Sequence, residues 1–123
     1  MMIKKVAFTA YKVRDLDRAR NFYERVLGLK PGANFNDQWQ EYDLPGGGCF
    51  AITTYGDDDW QPSSTHGGSV AFEVEDIETM CRHLKDQGIK FKMDIFESPV
   101  CKMAIIVDSE GNALMLHELH RKS

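Results

Sequence analysis

The sequence contains the same order of elements twice, with the copies offset by about 61 residues. In the first copy, a strand-like segment leads to Asp15 and to an amphipathic stretch that ends at Gly28. In the second copy, a similar segment leads to Asp76 and to an amphipathic stretch that ends at Gly88. Asp favours the N-cap of a helix and Gly favours its C-terminal end. Because further strand-like segments follow each glycine, the pattern predicts two βαβββ modules, with the function in the space they share.

The two copies fill most of the chain. Its 123 residues predict a single domain over residues 1–123. The first repeat covers about residues 3–55 and the second about residues 68–119, with a polar linker at residues 56–67. Hydrophobic residues make up 42% of the chain and charged residues 28%, which is typical of a globular protein with a true core.

Charge and hydropathy exclude several classes of partner. The net charge is −4 and no basic run is interleaved with aromatic residues, so we expect no nucleic-acid partner. No apolar run approaches the roughly 20 residues of a membrane span, and we expect no membrane partner. The first residues lack the apolar core of a signal peptide, which predicts a cytoplasmic protein. Cys49, Cys81 and Cys101 are widely spaced and odd in number, which favours reduced thiols.

Apolar residues at helical spacing follow each capping aspartate. They are Leu16, Ala19, Phe22, Tyr23, Val26 and Leu27 in the first copy, and Ile77, Met80, Cys81 and Leu84 in the second. Strands are predicted at 6–13, 29–35, 38–44 and 49–55, and again at 69–74, 90–96, 103–107 and 113–118. Glycine-containing turns separate the last two strands of each copy.

Several of these motifs together resemble one protein family. In the first copy they are Val13-Arg-Asp15-Leu16, Phe22-Tyr23 and Leu27-Gly28-Leu29; in the second they are Val74-Glu-Asp76-Ile77 and Asp108-Ser-Glu-Gly111-Asn112. In these motifs the chain resembles the vicinal oxygen chelate superfamily, which includes glyoxalase I, the extradiol dioxygenases and the bleomycin-resistance proteins. The resemblance implies an α+β fold in which two βαβββ modules form a curved, mixed eight-stranded sheet around a cleft. It also implies a homodimer.

Enzymes of this superfamily hold a divalent metal with four strand residues, and the resemblance places those ligands at Phe8, Ile52, Ser69 and Met115. Three of these side chains carry no donor for such an ion, and a lone serine is a weak one. Moving the alignment by one residue brings in no histidine or carboxylate. We therefore expect no metal and no cofactor at the family's metal site.

The predicted cleft has apolar and polar candidates for contact with a ligand. They are Phe8, Lys12, Trp39, Glu41, Phe50, Ile52, Trp60, Ser69, Glu73, Met115 and His117. Alternation alone does not decide whether Trp39 and Glu41, or instead Gln40 and Tyr42, face the cleft. Lys12 and Glu73 are either solvated charges at strand ends or a polar rim that orients a ligand. Trp60 either covers a pocket or anchors the linker.

Two functions of different class remain open from the sequence. One is a metal-free protein that binds or sequesters a small apolar or aromatic molecule, as the bleomycin-resistance branch does. The other is a lyase or dioxygenase-type enzyme with a non-standard or metal-independent site, in which Glu73 or His117 acts as acid or base. The sequence leaves undecided whether the protein is an enzyme. The missing ligands favour the binding protein.

Overall fold

A computed structural model describes residues 6–56, 59–65, 70–99 and 101–120. The chain divides into two compact units, Met1–Pro62 and Ser63–Ser123, and the boundary falls inside the predicted linker. Among the described residues, no helix is long and apolar enough to cross a membrane.

The first unit is a four-stranded sheet with a helical segment on one face. Its elements are β1 (Thr9–Lys12), α1 (Leu16–Arg20), a π-helical segment (Asn21–Val26), β2 (Asn34–Phe35), β3 (Trp39–Asp43) and β4 (Cys49–Thr53). The strand order is β1-β4-β3-β2, with β1 parallel to β4 and the other neighbours antiparallel. The sheet is therefore mixed, as a βαβββ module requires.

The helical segment begins and ends where the sequence predicts. The Asp15 carboxylate accepts a hydrogen bond from the Arg18 backbone N–H at 3.0 Å, and Gly28 adopts a φ of 78°. After α1 the backbone hydrogen bonds change to the five-residue spacing of a π-helix. One of them joins the Leu27 N–H to the Phe22 carbonyl. A single α-helix was expected over this stretch.

The second strand is shorter than predicted. Residues 29–35 were expected to form a strand, but only Asn34–Phe35 does. Pro31 lies in the missing part; its ring fixes φ and it has no N–H to give to a ladder. The backbone of Gly32 and Ala33 still bonds to Glu41 of β3, so the segment runs along the sheet edge as an irregular extension.

Aromatic rings fill the core of the first unit. The rings of Tyr23 and Phe50 are 5.1 Å apart, and those of Tyr23 and Tyr42 are 6.2 Å apart. All three residues are almost fully buried, as is Phe22. Edge and tilted ring pairs add about 0.5–1.5 kcal/mol each beyond the area that they bury. This cluster attaches the helical segment to β3 and β4.

The second unit repeats the arrangement. Its elements are β5 (Val70–Glu73), α2 (Ile77–Asp86), β6 (Phe91–Glu97), β7 (Cys101–Val107) and β8 (Ala113–Leu119). The strand order is β5-β8-β7-β6, with β5 parallel to β8 and the other neighbours antiparallel. Both units thus confirm the predicted α+β fold of two βαβββ modules, each with its own four-stranded mixed sheet.

Helix α2 is capped as its sequence predicts, and its predicted apolar stripe is buried except for Met80, which is half-buried. The Asp76 carboxylate accepts from the Thr79 N–H at 3.1 Å, and this bond lowers the pKa of Asp76. Gly88 adopts a φ of 73° just beyond the helix. On the buried side are Ile77, Cys81 and Leu84 of α2 and Leu114 and Leu116 of β8.

The turn between β7 and β8 is built on a buried carboxylate. Asp108 accepts from the backbone N–H groups of Glu110 and Asn112, each at 2.8 Å, and Gly111 has a φ of 93°. The Asn112 side chain in turn accepts from the Ser63 N–H at 2.9 Å. The motif that carries part of the family resemblance therefore has a structural role here.

Candidate functional site

The first sheet has a helix side and a helix-free face. Alternate residues of a strand point to opposite faces. Because Phe50 contacts Tyr23 of the helical segment, Phe50 and Ile52 lie on the helix side, and Ala51 and Thr53 lie on the other. The prediction that Phe50 and Ile52 line the cleft is therefore wrong, because both lie on the helix side of the sheet. Nearly all of β4 is buried, so its sequence showed no alternation from which to read the face.

The helix-free face of the first sheet carries an aromatic cluster of Phe8, Phe35 and Trp39. The rings of Phe8 and Trp39 meet edge to face, with centroids 5.0 Å apart and planes at 89°. Phe35 is the cross-strand partner of Trp39, and such partners share a face. Phe8 is 48% exposed and Phe35 53% exposed. Phe8 and Trp39 were predicted as site residues; Phe35 was missed, because only the strand register shows that it is the partner of Trp39.

Carboxylates border the aromatic cluster. The indole N–H of Trp39 donates to Glu41 Oε2 at 2.9 Å, which fixes the orientation of the ring. Asp43 lies two residues further along the same strand, paired with Cys49. The pKa of the Cys49 thiol is raised by burial and then by the charges of Glu41 and Asp43. The polar edge of the cluster is therefore acidic.

Lys12 anchors a loop in this unit. Its ammonium donates to the carbonyls of Thr54 and Tyr55 at 3.0 and 2.8 Å, and it lies 5.5 Å from the centroid of the Trp60 ring. Only 8% of Lys12 is exposed, so it is not a solvated charge at a strand end. The Trp60 ring packs on Gly56, where an added Cβ would lie 2.6 Å from it. These contacts favour the anchoring interpretation of Trp60.

The helix-free face of the second sheet is rich in methionine. Strand register places Met115 beside Ala71 and Ile105, and places Met103 beside His117. Met93 of β6 pairs with Ile105. We call Met93, Met103, Ile105 and Met115 the methionine face. All four side chains are half-buried.

Glu73 and His117 form a hydrogen-bonded pair at the edge of this face. Glu73 Oε1 lies 2.6 Å from His117 Nδ1, and Oε2 accepts from the Leu119 N–H at 2.9 Å. The His117 side chain is 25% exposed and that of Glu73 is 50% exposed. Both were candidates from the sequence. Their pairing depends on the parallel register of β5 and β8.

The strand register also corrects the position that corresponds to the family's metal ligands. Ala71 pairs with Met115 in the second sheet, and Ala10 pairs with Ala51 in the first. The counterpart of Met115 is therefore Ala51, one residue from the predicted Ile52. Ser69 lies outside the described residues. Phe8, Ala51 and Met115 supply no oxygen or nitrogen donor from their side chains, so these residues do not fit the divalent ion that the resemblance implies.

Two other polar groups were not singled out by the sequence. Carboxylate oxygens of Asp76, Glu78 and Glu118 lie within 4.8 Å of one another. Each has a partner in the fold, because Asp76 caps α2, Glu118 accepts from the Ile77 N–H and Glu78 pairs with Lys102.

A surface depression of about 230 Å³ lies along the first helical segment and is lined by Asp17, Arg20, Asn21, Glu24 and Arg25. Glu24 there binds Arg20 and accepts from the Tyr42 hydroxyl, whose pKa is raised mainly by burial.

Known proteins share this fold over nearly the whole chain. TnmS3, an antibiotic binding protein from Streptomyces sp. CB03234, superposes with a TM-score of 0.81 at 20% identity, over 97% of this chain and 98% of that one. Lactoylglutathione lyase from Agrobacterium tumefaciens gives a TM-score of 0.73 at 18% identity, over 94% of both chains. At such identities the likeness shows the fold alone.

Sequence comparison points the same way. A lactoylglutathione lyase from Schizosaccharomyces pombe is 25% identical over 143 aligned positions, which cover 90% of this chain and 46% of that protein. The chain thus spans about half the length of this curated relative. The sequence profile of one family matches residues 5–116. The chain therefore belongs to the Glyoxalase/Bleomycin resistance protein/Dioxygenase superfamily, as its motifs predicted.

Proposed function

We propose that this protein binds a small apolar or aromatic molecule at the aromatic cluster of Phe8, Phe35 and Trp39, without a divalent metal. The observation that carries the proposal is the exposure of the Phe8 and Phe35 rings beside the half-buried Trp39 on one helix-free face. Contiguous exposed apolar surface of this kind commonly marks a binding site. Ligand sites combine such surface with a few polar groups, and Glu41 and Asp43 are suitably placed for that role.

The cluster is arranged before any ligand arrives. Phe8 supports the Trp39 ring from one side, and Glu41 holds its indole N–H. A ligand that packs on these rings loses little binding free energy to side-chain ordering. Burial of about 100 Å² of apolar ligand surface would contribute on the order of 2–3 kcal/mol. TnmS3, which has the same fold, is described as an antibiotic binding protein, and this supports a binding role.

Removing one ring of the cluster should weaken binding of a neutral aromatic probe. We expect Phe8→Ala to raise the Kd for phenylnaphthylamine by about tenfold, equivalent to the loss of about 1.4 kcal/mol of ring contact. The Kd is measured by the fluorescence of Trp39 in a Trp60→Phe background, because the chain has two tryptophans and this change removes the other one.

The matched control is Tyr55→Ala, which removes an exposed ring outside the cluster and should leave the Kd unchanged. A chelator should also leave it unchanged, and purified protein should contain no stoichiometric zinc, nickel, iron or manganese. Equal affinity in wild-type protein, Phe8→Ala and Phe35→Ala would refute the proposed site.

A second candidate function rests on the Glu73–His117 pair. A carboxylate that holds an imidazole is a common arrangement for a general base. The relatives named as lactoylglutathione lyases make formation of lactoylglutathione the assay to run. Activity that His117→Asn lowers by at least about a hundredfold would favour the enzyme. Wild-type turnover no faster than that of His117→Asn would exclude it.

We also propose that the protein is a homodimer, on the basis of its superfamily, and that it has no nucleic-acid partner, on the basis of its net charge of −4. Light scattering would show a mass of twice 14.0 kDa, and a monomer at micromolar concentration would contradict it.

A further inference from the structure

Two thioethers and an imidazole lie together on the helix-free face of the second sheet. Met103 is the cross-strand partner of His117, and Met115 lies two residues before His117 on the same strand. Met103 and His117 are direct partners, and the Cβ atoms of such partners are about 4.5–5.5 Å apart. Met103 and Met115 are diagonal neighbours, which are about 7–8 Å apart. A methionine side chain has three rotatable bonds and adapts its reach. Both sulfur atoms can therefore converge on the ring of His117.

The orientation of His117 leaves one nitrogen for coordination. Nδ1 lies 2.6 Å from Glu73 Oε1, so the proton of a neutral ring is on Nδ1 and the lone pair is on Nε2. Glu73 is itself held by the Leu119 N–H at 2.9 Å. Histidines that bind metals usually donate their other ring N–H to a carboxylate or carbonyl in this way. The pair thus has the form of a metal ligand with its supporting group.

We propose that Met103, Met115 and His117 form a binding site for a soft monovalent metal ion, Cu(I) in the cell. Thioether donors select Cu(I) over the harder divalent ions, and imidazole is a common ligand of copper. All three donors are neutral, which suits an ion of single charge. The site has only Met115 in common with the positions to which the family's divalent ligands map. It does not depend on the aromatic cluster of the first unit.

The surroundings of the site are consistent with such an ion. Ile105, the partner of Met115, and Met93, the partner of Ile105, continue the face with apolar groups. The three donors are half-buried, so an ion can reach them and still be partly shielded from water. Because the thioethers supply the selectivity for a soft ion, the experiment follows their methyl groups directly.

Silver(I) is the probe, because it is a soft monovalent ion that does not change oxidation state under these conditions. In protein labelled at the methionine methyl groups, one equivalent of silver(I) should shift the NMR signals of Met103 and Met115. The signal of Met80, on helix α2, should stay in place. A Cys49→Ser background removes the half-exposed thiol, and Met→Leu variants assign the signals. Zinc(II) should shift neither methyl signal.

Affinity measurements on variants complete the test. Met103→Leu, Met115→Leu and His117→Asn should each lower silver(I) affinity by at least about tenfold, and Glu73→Gln should lower it by about 10- to 100-fold as the positioning residue. Met80→Leu is the matched control and should bind as the parent does. Competition with bicinchoninate under reducing conditions should give the same order for Cu(I). Silver uptake without shifts of the Met103 and Met115 methyl signals, or uptake unchanged in His117→Asn, would overturn the proposal.

Discussion

Replacement of Phe22 by alanine should lower the free energy of unfolding by about 3–5 kcal/mol, the range for removing a buried aromatic ring. Phe22 is 3% exposed and packs edge to face on Tyr23, with ring centroids 5.1 Å apart. Tyr23 contacts Phe50 and Tyr42, so the cavity would open at the centre of the first unit. Urea denaturation followed by tryptophan fluorescence measures the change.

The control for Phe22→Ala is Arg25→Ala, three residues further along the π-helical segment. Arg25 is exposed, and replacing an exposed residue typically changes stability by no more than about 0.5 kcal/mol. The difference between the two variants isolates burial from helix propensity. A loss below about 1 kcal/mol for Phe22→Ala would contradict the packing of this segment on its sheet.

Leu84→Ala should have a comparable effect in the second unit, with a loss of about 2–5 kcal/mol. Leu84 is fully buried on the inner side of α2, and Ile77 and Cys81 on the same side are almost completely inaccessible. Removal of three carbon atoms leaves a cavity that β8 can fill only by moving. Chemical denaturation again gives the loss, and amide exchange in α2 should accelerate.

Leu119→Ala is the matched control, because the same side chain is lost from a position that is 43% exposed. Leu119→Ala should lower the free energy of unfolding by clearly less than Leu84→Ala does. Equal losses at the two positions would mean that the inner side of α2 is assigned incorrectly.

Helix boundaries could be predicted because they depend on local chemistry. Asp15 and Asp76 cap their helices through bonds to N–H groups three residues away, and Gly28 and Gly88 supply positive φ values at the ends. Such interactions lie within one turn, so they are visible in a short window of sequence. The irregular stretch around Pro31 could have been anticipated on the same local grounds.

The face of β4 and the role of Lys12 could not be predicted. Both neighbours of β4 cover its edges and most of its side chains are buried, so apolar residues alone do not show which side meets the helix. Lys12 is charged, yet its ammonium is enclosed by carbonyls about 42 residues further along the chain. A pattern of residue types does not show which distant carbonyl groups will accept hydrogen bonds from a lysine.

The sequence by itself determined the duplicated βαβββ order and the helix caps, because both depend on residue type and local spacing. Only the tertiary structure decided which residues share a face. The parallel pairing of β5 with β8 joins Glu73 to His117 across 44 residues, and the contact of Phe8 with Trp39 joins two separate parts of the first unit. Strand register sets these neighbours, and a shift of one residue would send every side chain to the opposite face.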